Sequence, residues 1–225
     1  LSGKAKFGIF GDGKEIINIA HRYDILIIED SPYRELRYEG QDQRTIYELD
    51  GTGQVVLLGT FSKIFCPGFR IGWVVGNEDI LDKIVVAKQA TDLCTPPFTQ
   101  RIAARYIEKG YLDPKIAQIR EMYQAKQKVM LESLQEFMPE EFTWIKPEGG
   151  LFLMAYGPKW LDTNALLLDC IKEANVAYVA GTSFFCDGTG QNTMRLNFSY
   201  ESLETNREGC QRLGNFFKKV LAQHS

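Results

Sequence analysis

The chain has 225 residues, of which 44% are hydrophobic, and these suffice to bury a sizeable core in one large domain or two small ones. Its 26 basic and 29 acidic residues give a net charge of -3. Binding to nucleic acid or to an anionic membrane surface requires a basic field that this charge does not supply, so we expect neither partner. The apolar runs are too short to cross a bilayer and the N-terminus shows no signal-peptide pattern, which favours a cytoplasmic location.

The cysteines and histidines show no pattern of a metal site or a disulfide framework. The five cysteines are widely spaced and form no CxxC pair, so we expect five reduced thiols. The only histidines are His21, at the end of a predicted helix, and His224, next to the last residue. The sequence therefore predicts no metal site and gives little support to histidine-based catalysis.

The first half of the chain has the pattern of an α/β layer. Residues 14–22 carry apolar side chains at helical spacing, and the apolar run at 25–28, which ends at Glu29-Asp30, predicts a strand covered on both faces. Further strands are predicted at 54–59 and, after a Pro-Gly turn, at 71–76. Strands separated by helices or loops indicate an α/β sheet.

The second half begins with helices. One is predicted from Pro97 to about Gly110, and Asp113-Pro114 then begins a long amphipathic helix whose apolar stripe continues to Phe137. The elements predicted after it are a helix at 164–174, a terminal helix, and strands at 142–145, 151–155, near 176–179 and at 193–198. We therefore predict two domains, residues 1–112 and residues 113–225, the second formed by the long linking helix and a small α+β domain.

Two ionisable residues lie just beyond the ends of predicted strands. In an open α/β sheet, ligands gather outside the carboxyl ends of the strands, and Asp30 and Lys63 both have this position. Taken singly, Asp30 is more typical of a turn cap before Pro32, and Lys63 of a solvated lysine. The functional hypothesis therefore depends on their combination with their neighbours.

Residues 59–73 place two hydroxyls, an amine and a guanidinium in one loop at a strand end. Thr60, Ser62 and Arg70 suit a phosphate, because a guanidinium offers paired donors to its oxygens. Lys63 suits a carbonyl, because an amine near other cationic groups loses its proton readily and forms a Schiff base. A phosphate and an aldehyde on one molecule describe pyridoxal 5'-phosphate (PLP).

With these motifs the sequence resembles the fold-type I PLP-dependent enzymes, in the class I/II aminotransferase branch. The matching stretches are Ile27-Ile28-Glu29-Asp30-Ser31-Pro32-Tyr33, Thr60-Phe61-Ser62-Lys63 with Pro67-Gly68-Phe69-Arg70-Ile71-Gly72-Trp73, Pro147-Glu148-Gly149-Gly150-Leu151-Phe152, and Met194-Arg195-Leu196-Asn197-Phe198-Ser199. The resemblance covers nearly the whole chain. It implies an α/β fold: residues 1–112 would be the C-terminal part of a large PLP-binding domain with a mostly parallel sheet and helices, followed by the smaller α+β C-terminal domain.

The resemblance also implies roles for the residues around the cofactor ring. Lys63 would form the internal aldimine with PLP and, once released by substrate, act as the general base at Cα. Asp30 would pair with the pyridine nitrogen and keep it protonated. Tyr33 would donate a hydrogen bond to the phenolic oxygen.

The same resemblance assigns Thr60, Ser62 and Arg70 to the phosphate and Arg195 to the substrate. By its alternating pattern alone, the strand at 193–198 predicts a solvent-facing Arg195. In the family, the arginine of this motif binds the substrate α-carboxylate with bidentate hydrogen bonds. Gly149-Gly150 would let the backbone pass close to the substrate, and an ordinary hairpin turn explains the pair equally well.

The chain departs from the family pattern at its beginning. A complete member carries an N-terminal segment with a phosphate-binding helix N-terminus, an aromatic residue that stacks on PLP, and an N-P-[ST]-G motif, of which Ser2-Gly3-Lys4 resembles the end. We therefore expect the chain to be the C-terminal part of a larger protein and to be inactive by itself. A smaller departure is Ala180, where relatives often have proline.

The expected function is transfer of an amino group from an amino acid to a 2-oxo acid, in amino-acid metabolism. A PLP-dependent lyase or decarboxylase would use the same residues, and an aminotransferase-like sensor domain of a transcriptional regulator would carry its DNA-binding part upstream. An inert folding unit is a further alternative. The resemblance implies a homodimer for the full-length form, and the sequence leaves the amino donor and acceptor open.

Overall fold

The computed structural model describes residues 13–224, so the motif at Ser2-Gly3-Lys4 lies outside the described residues. Two compact units meet in sequence between Arg120 and Glu121, inside the long helix. Our sequence-based division after residue 112 stays a prediction. No helix in residues 13–224 combines the length and the apolar character that crossing a membrane requires.

The unit that ends at Arg120 contains a three-stranded sheet and several helices. Its elements are α1 (Lys14–Tyr23), β1 (Ile27–Asp30), α2 (Ile46–Leu49), β2 (Val55–Thr60), β3 (Gly72–Val75), α3 (Glu78–Thr91), α4 (Pro97–Glu108) and the start of α5 (Leu112–Phe137). The strand order is β1-β2-β3, with β1 parallel and β3 antiparallel to β2. Ile17 of α1, Ile46 of α2 and Val55 of β2 form a buried cluster against this sheet.

Strand β1 differs from the prediction of a strand covered on both faces. It begins at Ile27 rather than at residue 25, and Ile28 at its centre keeps 63% of its surface exposed. The physical reason is that one face of β1 is not covered by another element within residues 13–224. Among the described residues β1 is an edge strand that pairs only with β2, and its outer face packs against no other described element closely enough to bury Ile28.

The buried carboxylate of Asp50 fixes the beginning of β2. Only 2% of its side chain is exposed, and it accepts hydrogen bonds from the backbone N–H of Gln54 at 2.9 Å and of Val55 at 3.2 Å. The hydroxyl of Thr52 donates to it at 2.7 Å, and Nε2 of His21 lies 3.2 Å away. Burial opposes ionisation, but the hydrogen bonds from Thr52, His21 and Gln54 outweigh it and hold the pKa of Asp50 below its ordinary value.

We expect Asp50→Asn to lower the free energy of unfolding by about 2 kcal/mol at pH 7, because the amide offers fewer acceptors to the same donors. A carboxyl whose pKa is depressed by folding stabilises the protein above its unfolded pKa of about 3.9, and this contribution is lost as the pH falls through the folded value. Chemical denaturation of the variant and the wild type at pH 7 and at pH 3 measures the loss of stability and its dependence on pH. An equal difference between variant and wild type at the two pH values would contradict this account.

The unit that begins at Glu121 is an antiparallel sheet covered by helices. After the rest of α5 it contains β4 (Thr143–Trp144), β5 (Phe152–Tyr156), α6 (Thr163–Ala174), β6 (Val179–Ala180), β7 (Thr193–Asn197) and α7 (Leu203–His224). The strand order is β4-β5-β7-β6. Its fully buried core includes Leu134, Met194 and Phe217, and Met194 belongs to β7, which pairs with a strand on each side. The α+β character predicted from the sequence is confirmed.

Helix α7 lies close to the end of α5 at Gly214. A Cβ at this position would lie 2.3 Å from the carbonyl oxygen of Phe137, which is backbone and does not move aside. We expect Gly214→Ala to destabilise the protein by about 1–3 kcal/mol, measured by thermal unfolding. Gly209→Ala is the matched control on the same helix, because a Cβ there meets nothing within 4 Å and alanine favours helix. Equal stability of the two variants would contradict the close-approach argument.

Candidate cofactor and substrate site

Parallel pairing of β1 and β2 brings their carboxyl ends to one edge of the sheet. Asp30 stands opposite Leu58, and the N–H of Ser31 donates to the carbonyl of Leu58 at 3.1 Å. Two residues later β2 ends at Thr60, and the loop that carries Lys63 begins. The structure therefore places Asp30 and the start of this loop at the same sheet edge, as ligand sites of open α/β sheets require.

Hydrogen bonds within the loop gather its hydroxyls and its guanidinium. The Thr60 hydroxyl lies 3.0 Å from the Ser62 hydroxyl and accepts from the N–H of Ser62 at 3.1 Å. Nη1 of Arg70 is 3.5 Å from the Ser62 oxygen and donates to the carbonyl of Pro67 at 3.3 Å. Arg70 has a left-handed backbone φ of 55°, which is unusual for a residue other than glycine. The backbone turn thus places the guanidinium next to the Ser62 hydroxyl, which in turn contacts the hydroxyl of Thr60.

Lys63 lies partly buried next to Tyr33. Its Nζ is 5.7 Å from the centroid of the Tyr33 ring, and it makes no hydrogen bond or ion pair within residues 13–224. The carboxylate of Asp30, which is exposed, likewise has no partner in that range and does not pair with Lys63. Both side chains are therefore available to a ligand.

Aromatic contacts anchor the part of the loop that follows Lys63 in the chain. Ile64 is buried, and the ring of Phe65 packs on Tyr106 of α4 with centroids 4.6 Å apart. Phe69 packs edge-on against Phe65 at 5.4 Å. Because these neighbours are anchored, the lysine side chain projects from a loop of fixed backbone.

Arg195 lies in the other unit, in the central strand β7. Its neighbours Met194 and Leu196 point into the core, as the alternating pattern predicts. The arginine is not simply solvated, however, because its Cζ lies 4.1 Å from the Phe152 ring centroid and 4.9 Å from that of Phe184. Its Nε is buried and without a hydrogen-bond partner in the described part of the chain.

The chain matches known proteins along most of its length. Residues 12–213 match the family model of aminotransferase class I and II. The chain belongs to this family. Aromatic-amino-acid aminotransferase 1 of Thermococcus litoralis is 46% identical over 208 residues, which are 92% of this chain and 50% of that relative. More distant matches include proteins named as helix-turn-helix transcriptional regulators, at 25–32% identity.

Solved aminotransferases superpose on the chain closely. The multiple substrate aminotransferase of Thermococcus profundus gives a TM-score of 0.89 at 46% identity, over 94% of this chain and 52% of its own. LysN, the α-aminoadipate aminotransferase of Thermus thermophilus, was solved with N-(5'-phosphopyridoxyl)-L-leucine and gives 0.88 at 33% identity, over 94% and 55%. The predicted PLP-transferase fold is confirmed. The chain spans about half the length of these relatives.

In this member of the aminotransferase family the structure brings together the predicted residues of the first unit, which ends at Arg120. Those that share the sheet edge and its loop are Asp30, Tyr33, Thr60, Ser62, Lys63 and Arg70. Arg195 belongs to the second unit. Residues 13–224 contain no group of three or more side chains set to hold a metal ion.

The glycine pair of the 147–152 motif has a local explanation. Gly150 has a φ of 81°, which disfavours any residue with a Cβ, whereas a Cβ there would meet no atom within 4 Å. Gln127, buried in α5, donates to the carbonyl of Pro147 at 2.7 Å and holds the start of the loop. The turn alone therefore accounts for Gly150, and its approach to a substrate stays a prediction.

Sequence reasoning missed the two phenylalanines that contact Arg195. Phe152 is the last residue of the 147–152 motif, but the motif gave no indication of a contact with Arg195. Its pairing opposite Asn197 places β5 next to β7, the strand that carries the arginine. Phe184 carried no signal in the sequence. It reaches Arg195 only through the packing of the turn Gly181–Phe184 on β7.

Proposed function

We propose that the protein containing this chain is a PLP-dependent aminotransferase that moves an amino group from an amino acid to a 2-oxo acid. The observation that carries the proposal is Lys63, a partly buried amine without a charged partner in the described structure, on an anchored loop of the sheet edge that holds Asp30. Membership of the aminotransferase family supports the same reaction.

The side chains present fit each polar group of PLP. Lys63 would bind the aldehyde carbon covalently, and Tyr33, whose ring lies beside its Nζ, would donate to the phenolic oxygen. The hydroxyls of Thr60 and Ser62 and the guanidinium of Arg70 lie within hydrogen-bond reach in one loop and would hold the phosphate. The Asp30 carboxylate, which has no partner within residues 13–224, would pair with the pyridine nitrogen.

In the proposed mechanism, bound PLP supplies a ring that accepts the electron pair left at Cα. The carboxylate of Asp30 would keep a proton on the pyridine nitrogen and so strengthen that acceptance. The Lys63 amine would remove the proton from Cα of the amino acid and hold it as an ammonium group. The anchored loop would hold this amine in one position.

Arg195 would bind the α-carboxylate of the substrate. A half-buried guanidinium with no anionic partner in residues 13–224 favours a carboxylate ligand, because the buried Nε otherwise remains without a hydrogen bond. Bidentate binding would fix the orientation of Cα.

Two alternatives share these residues. A lyase or decarboxylase would break another bond at Cα with the same lysine and aspartate, and the regulator relatives leave a ligand-sensing role for the domain. We favour transamination because the most similar relatives quoted above are named as aminotransferases.

Incubation of the full-length protein with PLP, isotopically labelled L-phenylalanine and 2-oxoglutarate tests the reaction. An aromatic donor is chosen because of the name of the Thermococcus litoralis relative. We expect labelled 2-oxo acid and an equal amount of glutamate. Labelled amine with carbon dioxide would indicate a decarboxylase, and recovery of unchanged substrates with a full panel of amino acids would contradict an enzymatic role.

We further propose a homodimer and a cytoplasmic location for the full-length protein. The first unit leaves large apolar side chains exposed on and near α3 and α4, among them Val86, Leu93 and Phe98, which a subunit interface would cover. All five cysteines are free, as is usual in a reducing compartment. Sedimentation of the full-length protein at twice the monomer mass is the expected result.

A further inference from the structure

The guanidinium of Arg195 contacts two phenyl rings that come from different segments. Phe152 belongs to β5, which pairs directly with β7, and its ring centroid is 4.1 Å from Cζ. Phe184 ends the short turn that follows β6, and its ring is 4.9 Å from Cζ. Neither Arg195 nor its buried Nε has a hydrogen bond or an ion pair within residues 13–224.

The position of Phe184 is set by the packing of its turn. A Cβ on Gly181 would lie 1.6 Å from Oγ1 of Thr193, so the turn lies directly on β7 two residues before Arg195. Thr193 is itself buried, and its hydroxyl donates to the carbonyl of Gly190 at 2.9 Å. The next residue of the turn, Thr182, is tied to Asn164 of α6 by a hydrogen bond of 3.0 Å.

Aromatic faces orient an arginine without using its hydrogen-bond donors. An acidic neighbour or a carbonyl would also fix the guanidinium, but it would compete with an incoming carboxylate for the same N–H groups. A ring attracts the cation through its face and leaves the N–H groups at the edge available. The two rings therefore contact the guanidinium of Arg195 without occupying its donors.

We infer that Phe184 is a positioning residue for Arg195. Together with Phe152, the Phe184 ring orients this arginine and so sets the affinity of the site for the carboxylate of its ligand. The inference rests on the proposed function, in which Arg195 binds the substrate α-carboxylate. It predicts that loss of the Phe184 ring weakens ligands that carry a carboxylate and leaves ligands without one unaffected.

The test uses the full-length protein with PLP and a pair of ligands that differ only in the carboxylate, L-phenylalanine and 2-phenylethylamine. Their dissociation constants are measured from the change in the cofactor absorbance. For Phe184→Leu we expect the value for phenylalanine to rise by about three- to tenfold, as loss of one cation–π contact implies, and that for the amine to stay within about twofold. Phe184→Tyr keeps the aromatic face and should bind both ligands like the wild type.

Phe185→Leu is the matched control, because it makes the same change one residue along the chain. The ring of Phe185 packs against Gly190, where a Cβ would lie 2.3 Å from it, and within residues 13–224 it is not one of the rings that contact the Arg195 guanidinium. This variant should not change the ratio of the two dissociation constants. If Phe184→Leu does not fold, Phe184→Met fills a similar volume without an aromatic face and replaces it in the comparison.

Arg195→Lys separates failure of this inference from failure of the proposed function. If Arg195→Lys does not change the ratio for phenylalanine and the amine, Arg195 does not bind the carboxylate, and the substrate role fails. If Arg195→Lys changes the ratio but the leucine and methionine variants of Phe184 do not, only the positioning role is overturned. Equal losses in Phe184→Tyr and Phe184→Leu would overturn it as well.

Discussion

Lys63→Ala is expected to lower the turnover of the full-length protein at least about a thousandfold, because one amine both anchors the cofactor and moves the proton at Cα. Lys63→Arg should be as inactive, since a guanidinium keeps its proton and forms no covalent bond with an aldehyde. Single-turnover conversion of an amino acid to its 2-oxo acid measures the loss. The cofactor absorbance of both variants should also differ from that of the wild type.

Lys83→Ala provides the matched control for this prediction. Lys83 lies in α3 of the same unit and its side chain is exposed, so its removal should leave turnover and absorbance unchanged. Turnover of Lys63→Ala within about tenfold of the wild type would assign the proton transfer to another group. An equal loss in both lysine variants would point to damage of the fold instead.

Asp30→Asn is expected to lower turnover by about a hundredfold or more while the protein stays folded. An amide cannot hold a proton on the pyridine nitrogen by charge, and each tenfold loss corresponds to about 1.4 kcal/mol of transition-state stabilisation. Asp30 makes no hydrogen bond with its side chain in residues 13–224, so its replacement removes no structural contact there. Steady-state rates at saturating PLP measure the effect on the chemical step.

The neighbouring carboxylate serves as the control for Asp30. Glu29 accepts a hydrogen bond from the N–H of Tyr47 at 3.0 Å and therefore has a structural role. Glu29→Gln should lower stability slightly and leave the turnover of the folded protein within about twofold. If Asp30→Asn and Glu29→Gln had the same turnover, Asp30 would not support the cofactor ring.

The arrangement at the sheet edge could be predicted from the sequence because its determinants are local. Thr60, Ser62 and Arg70 lie within one loop, and only the parallel pairing of two apolar runs is needed to bring Asp30 to that loop. The start of β1 was displaced because Asp24 takes a left-handed φ of 51° and the N–H of Ile25 returns to the carbonyl of Ala20. The end of α1 thus uses residues that the apolar run assigned to the strand.

Two elements of the first unit escaped the sequence analysis for different reasons. Helix α2 is a single turn held by a capping box between Thr45 and Glu48, too short for a periodic signal. Helix α3 has a capping Asn77 but no buried residue, and its Val85 and Val86 are exposed. Its apolar residues therefore do not form the single stripe from which an amphipathic helix is predicted.

The surroundings of Arg195 could not be predicted from its strand alone. Alternation in β7 correctly separated Arg195 from the buried Met194 and Leu196, but it indicated a solvated side chain. The ring of Phe184 comes from a turn whose position depends on the contact of Gly181 with Thr193, a tertiary feature without a sequence motif.

Borohydride reduction of the full-length protein after incubation with PLP tests the central claim most directly. Reduction makes the bond between cofactor and lysine permanent, and peptide mapping by mass spectrometry then locates the phosphopyridoxyl group. We predict one group per chain, on Lys63, and none in Lys63→Arg. A group on a different lysine, or no group on the wild-type protein, would contradict the account.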